Sequence, residues 1–340
     1  MIDKIMICYL LFICLIATVT DWKKGKIYNK WLTAGMCPGI VLVLIYYVQY
    51  RESIALFLTN LAAAVVIAIL FFALKLWGAG DSKLWLFVNF LYPTGWYAVR
   101  ETMLFPSMLL FMVIFIEAYL YVIAESIWYR FIRRKKGIRF QREEFDREQL
   151  WDMGFSIAFL SCVYMACGYL LQEYYESNRI FFAVIGILLV NRLATIRFQK
   201  KHLLTVLLLG GYLGSSFFLY RSFDFRQLFL SILLVVVTQF SLKFAERYNY
   251  AWIPTGEVKQ GMILSYFTVQ QFSVSRVKGL PQTTDETTKS RISQQEAEAV
   301  QRWEKSKYGK EQVMVVRYIP FAIFILIGLI TYIIGVWGMR

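Results

Sequence analysis

The sequence predicts an all-α polytopic membrane protein with about ten transmembrane helices, and three observations carry that reading. Of 340 residues, 58% are hydrophobic and only 18% charged, whereas about a quarter of an ordinary soluble domain is charged. The apolar residues fall in runs of about 16 to 28, close to the length that crosses about 30 Å of hydrocarbon at 1.5 Å per residue. Lys and Arg gather in alternate loops between those runs. A formal net charge of +14 would suggest nucleic acid in a soluble chain, but in a membrane chain the placement of the cations matters more than their sum. The partner implied by composition is the lipid bilayer, with no nucleic acid.

The runs read in order as spans 4–20, 32–49, 54–76, 84–99, 102–129, 152–171, 180–196, 203–220, 227–245 and 318–338, of which the fourth is the shortest. Lys23, Lys24, Lys26 and Lys30 occupy the first loop, Lys75 and Lys83 flank the third, eight cations from Arg130 to Arg147 fill the fifth, and Arg197, Lys200 and Lys201 mark the seventh. The intervening loops hold Arg51, Arg100, Arg179 beside Glu173 and Glu176, and Arg221 with Arg226. By the positive-inside rule the odd loops are cytoplasmic, which places the amino terminus outside and residues 246–317 inside. The first run lacks a strong basic region before it and an A-x-A site after it, so it reads as a retained helix.

The chain then divides into a transmembrane core (1–130), a basic cytoplasmic loop (131–151), additional helices (152–245), a cytoplasmic segment (246–317) and a last helix (318–340). In the cytoplasmic segment, Ser293 followed by Glu296 has capping-box spacing, and Ala297, Val300 and Trp303 share a helical stripe. Together they predict a short amphipathic helix from about 293 to 307. Cys8, Cys14, Cys37, Cys162 and Cys167 all lie in apolar stretches without CxxC spacing and read as small apolar residues. His202 is the only histidine and reads as a loop-edge residue, which excludes a multi-histidine metal site. Gly35 with Gly39 and Gly210 with Gly214 have small-xxx-small spacing, and Pro38 should kink the second span. Asn60, Asn89 and Gln239 are expected to form interhelical hydrogen bonds.

Acidic residues at membrane borders carry the chemistry, because a charge near hydrocarbon is costly. Asp21 ends the first span, at the end of a helix that disfavours a carboxylate. Asp81 opens the fourth, in Leu76-Trp77-Gly78-Ala79-Gly80-Asp81-Ser82-Lys83-Leu84. Gly78 and Gly80 let the backbone leave helical geometry and point a carboxylate into a cavity. The structural alternative makes Asp81 a helix N-cap and Asp21 a residue of a solvated loop, and residue physics alone favours it. If the two converge, they share a proton, since like charges that close cannot both ionise. One then activates water while the other protonates the carbonyl or leaving amine.

Gly78-Ala79-Gly80-Asp81, a GxGD element, and Asp21-Trp22-Lys23-Lys24-Gly25-Lys26-Ile27-Tyr28-Asn29 resemble the two active-site motifs of the type IV prepilin and preflagellin peptidases, which are GxGD intramembrane aspartic proteases. The resemblance covers roughly the first hundred residues. It implies that Asp21 and Asp81 are catalytic, within an active-site loop that includes Gly78, Gly80, Lys83 and Asn29. Lys83 is favoured as an interface anchor and Asn29 as a cap of the second helix. The family usually has Pro where this chain has Tyr28, and bifunctional members carry a tetracysteine zinc element absent here. The resemblance therefore implies peptidase activity with no cofactor, no metal and no methyl transfer, in a multi-pass protein of the cell membrane. Substrates would be prepilin or pseudopilin proteins with a basic leader, cut after a border Gly.

The segment from residues 276–281 to residues 319–322 resembles the tail of a clostridial-type subgroup. The acidic cluster Glu143, Glu144 and Asp146 is a candidate dock for the leader, although a solvated charged loop is favoured. The presenilin branch would require a Tyr-Asp motif and a Pro-Ala-Leu element, and neither occurs. A competing class is a non-catalytic pilus-assembly protein or transporter, with Glu117 and Arg192 as an intramembrane polar pair.

Overall fold

The computed structural model describes residues 1–74, 76–98, 103, 105–132, 147–195, 200–220, 225–286 and 290–338. The long helices are α1 (Ile2–Lys24), α2 (Asn29–Gln49), α3 (Ile54–Ala73), α4 (Ala79–Leu91), α5 (Met108–Ile127) and α6 (Arg147–Leu171). The short α7 (Glu173–Ser177) leads to α8 (Arg179–Thr195), α9 (Lys201–Tyr220) and α10 (Phe225–Glu246). Among the described residues, six helices are long and apolar enough to cross a membrane: α1, α2, α3 with the preceding turn, α5 with the following π-turn, α6 and α10. The chain is therefore a helical membrane protein by length and composition.

One apolar core is built from α1 to α5 and from α13 (Ala322–Gly338), with Phe181 and Val184 of α8 against it. A second joins α6, α8 and α10. Gly35 and Gly39 set the spacing in the first: a methyl group on Gly35 would meet Ile13 of α1 at 3.1 Å, and one on Gly39 would meet Leu91 of α4 at 3.2 Å. The Gly210–Gly214 pair does not behave this way, since nothing lies within 4 Å of either position.

The fourth helix departs from the expected 84–99. It begins at Ala79 and stops at Leu91, because Tyr92 precedes Pro93 and takes the extended conformation that position favours. At about 20 Å it is shorter than the hydrocarbon core. Likewise α5 begins at Met108, beyond Pro106, rather than at residue 102. Where the chain returns, Asn60 donates to Asn89 Oδ1 (3.1 Å) and Tyr97 Oη (3.2 Å), and its Oδ1 accepts from the Ser107 amide at 2.8 Å. Gln239 makes no such bond, its buried Nε2 having no partner.

Residues 246–317 fold into a small module with a separate core. Its antiparallel strands β1 (Tyr250–Pro254), β2 (Ile263–Leu264) and β3 (Gln312–Val316) lie in the order β1-β3-β2, with α11 (Tyr266–Phe272) and α12 (Gln294–Glu304) packed against them. The expected amphipathic helix is α12, and its capping box is formed: the Ser293 amide donates to Glu296 Oε2 at 2.7 Å, and the Glu296 amide donates to Ser293 Oγ at 3.3 Å. Ala297, Val300 and Trp303 face the core. Ser293→Ala should cost about 1 kcal/mol, measurable as faster hydrogen exchange of the α12 amides.

Of the cysteines only Cys14 is buried, while Cys8 and Cys37 are exposed on helix faces. His202 lies in the first turn of α9, its ring 4.6 Å from that of Trp151.

Candidate active site

The two sequence motifs meet at one end of the bundle. Ser82 Oγ donates to the Ala68 carbonyl at 3.3 Å and Trp85 Nε1 to that of Ala64 at 3.2 Å, which fixes the start of α4 along α3. The turn Gly78–Gly80 then packs on the α1–α2 connection: a methyl on Gly80 would meet Ile27 Cβ at 3.1 Å. Gly80 is thus required for close approach of one motif to the other. A second link is Lys83 Nζ to Asn29 Oδ1, 2.9 Å. This corrects one expectation, since Asn29 is the first residue of α2 and binds Lys83 rather than capping its helix, where Tyr28 is the cap residue. Lys83 is exposed and reaches across to the other motif.

Asp81 is the third residue of α4, not its N-cap. Gly78 holds that position and donates its amide to Asp81 Oδ2 at 3.0 Å. Asp81 is half-buried. Asp21 lies inside the last turn of α1 rather than in a loop, and is 1% exposed. The two carboxyls sit on motifs that pack together through Gly80 on Ile27 and Lys83 on Asn29.

Asp21 also has partners that local sequence does not reveal. Tyr318 donates its hydroxyl to Asp21 Oδ1 at 2.6 Å, and the amide of Ala322, the first residue of α13, donates to Oδ2 at 3.3 Å. The end of α1 disfavours a carboxylate, but the amino end of α13 favours one, so the second helix offsets the first. Thr18 Oγ1, one turn earlier, donates to the Ala322 carbonyl at 3.2 Å. Aromatic packing joins the other motif to the same place: Trp77 stacks on Phe115 (5.5 Å, 12°) and meets Phe321 at 6.0 Å.

Arg291 completes the group. Its guanidinium lies 4.5 Å from the Tyr318 ring centroid and donates to the Lys24 carbonyl at 3.1 Å. Gly25, at φ +58°, ends α1 in the left-handed region beside it, and a side chain there would collide with the guanidinium. An open cleft at the α1–α2 connection is lined by Lys23, Lys24, Tyr28, Lys30 and Trp31.

The chain matches no family model, no curated protein and no solved structure. Its own geometry is two carboxyls on packed motifs, held by backbone amides and a phenol. Among the described residues no group of three His, Cys, Asp or Glu could hold a metal ion. Glu117 lies in α5, and its buried Oε2 has no hydrogen-bond partner. The side chain of Arg192, and the cluster Glu143, Glu144 and Asp146, lie outside the described residues.

Proposed function

We propose that this chain is an intramembrane aspartic endopeptidase that removes basic leaders from prepilin-like proteins at the cytoplasmic face of the cell membrane. In this reading α4, α8, α9 and α13 join the six longer helices to make ten crossings around a GxGD core. One observation carries it: the motifs that hold Asp21 and Asp81, on different helices, pack against each other through Gly80 on Ile27 and Lys83 on Asn29. The charge distribution of the loops independently assigns their end of the bundle to the cytoplasm, and a leader and its apolar helix would meet there. One aspartate takes a proton from water as it attacks the scissile carbonyl, and the other delivers a proton to the leaving amine.

The test is co-expression with a tagged prepilin-like substrate bearing a basic leader and a border Gly. Mass measurement should show cleavage after that Gly with the wild-type chain and an uncut substrate with Asp21→Asn. Cleavage surviving in the variant would sink the mechanism.

The buried, unpartnered Glu117 Oε2 favours one second reading, a transporter or non-catalytic pilus-assembly protein. Under that reading Glu117→Gln abolishes function and Asp81→Asn is tolerated. Under the peptidase reading the two variants behave the opposite way.

A further inference from the structure

The bracket around Asp21 comes from three distant parts of the chain. Tyr318 lies between β3 and α13, Arg291 lies before α12, and Lys24 ends α1. Tyr318 and Arg291 are both fastened to other parts of the chain. Arg317, next to Tyr318, pairs with Glu125 of α5 at 2.7 Å and lies 4.7 Å from the Tyr129 ring centroid. Its amide donates to the Asn249 carbonyl at 2.7 Å. Arg291 is tied to α1 through Lys24. The phenol of Tyr318 is thus pinned by a guanidinium on its face and by its neighbour's ion pair, with its hydroxyl on Asp21 Oδ1. A cover that swings away to admit substrate would not be fastened at both sides.

We propose that Tyr318, on the link from the extramembrane module to α13, is a positioning residue for Asp21, and that Arg291 of the module holds it there, so that residues 246–317 help build the catalytic centre. This rests on the peptidase reading above. Tyr318 occupies Oδ1 of Asp21 and, with the Ala322 amide on Oδ2, fixes the plane of the carboxyl, leaving Asp81, the more exposed residue, to meet the incoming bond. Misplacement of a reacting group by an ångström can cost about 10²-fold in rate. Loss of the hydroxyl alone should therefore reach turnover without touching leader binding.

The experiment uses the full chain in nanodiscs and a synthetic leader peptide with a border Gly. Tyr318→Phe keeps the ring under Arg291 and removes only the donor. Its kcat should fall about tenfold or more with KM changed by less than about twofold, and Arg291→Gln should show the same split more weakly. Infrared difference spectra of Tyr318→Phe against wild type should show a shifted carboxyl band that disappears in an Asp21→Asn background. This readout needs no turnover. An unchanged or raised kcat overturns the positioning role, and so does a spectrum without the Asp21 band. If the band shifts but the wild-type chain cleaves no leader, the peptidase reading itself fails, and Tyr318 is reduced to a structural partner of Asp21.

Discussion

Asp81→Asn is expected to abolish leader removal, lowering turnover by about 10³-fold, while the chain stays folded. The amide is isosteric with the acid, and its oxygen can still accept the Gly78 amide that Asp81 Oδ2 accepts at 3.0 Å. What it loses is the ability to carry or release a proton. Because Asp81 is half-buried and touches few other groups, its loss separates chemistry from folding better than the loss of Asp21 does. Asp21→Asn should be equally inactive and also less stable: one of its two accepting oxygens becomes a donor facing either the Tyr318 hydroxyl or the Ala322 amide. A buried unsatisfied group costs about 1–3 kcal/mol. Thermal unfolding in detergent should therefore rank Asp81→Asn near wild type and Asp21→Asn below it. The opposite ranking would mean that Asp81, not Asp21, is the carboxyl on which the fold depends.

Gly328→Val is expected to have the largest effect on stability. A single methyl at Gly328 would lie 2.6 Å from Ile114 Cγ1 and 3.1 Å from the Ile114 backbone. The side chain of Ile114 could turn aside, but its backbone cannot, so α13 must move away from α5. Overpacking of this kind costs about 1–3 kcal/mol, and the upper end applies because the obstruction is main chain. The displacement would travel down α13 to Ala322 and loosen its bond to Asp21. Leader cleavage should therefore fall with the unfolding midpoint, whereas Gly335→Val, at a position with open space, should leave both unchanged. Equal behaviour of the two variants would remove the argument from close packing.

The helices were legible in the sequence because each is a continuous apolar run, and both halves of the candidate site were legible because each is a local motif. What could not be read was long-range. Tyr318 is 297 positions from Asp21, and no periodicity or spacing links a tyrosine after a short strand to an aspartate in the first helix. The sheet was missed because its strands are two to five residues long; the run Val313-Met314-Val315-Val316 was the one β signal available. The end of α4 was misjudged where apolar content outweighed Pro93, which settles the boundary by sterics. Asn29 was assigned to its own helix because capping is a local rule, whereas its actual partner, Lys83, arrives from another turn.

The return of α13 to the first helices has a consequence for biogenesis. A ribosome inserting this chain delivers Asp21 and Asp81 into the bilayer early, when neither Tyr318 nor Ala322 has been made. Both carboxyls would wait there through the synthesis of α5 to α10 and the sheet module. On the peptidase reading, such a hydrolase stays dormant during its own manufacture, and nascent chains crowding the insertion site are spared until α13 docks.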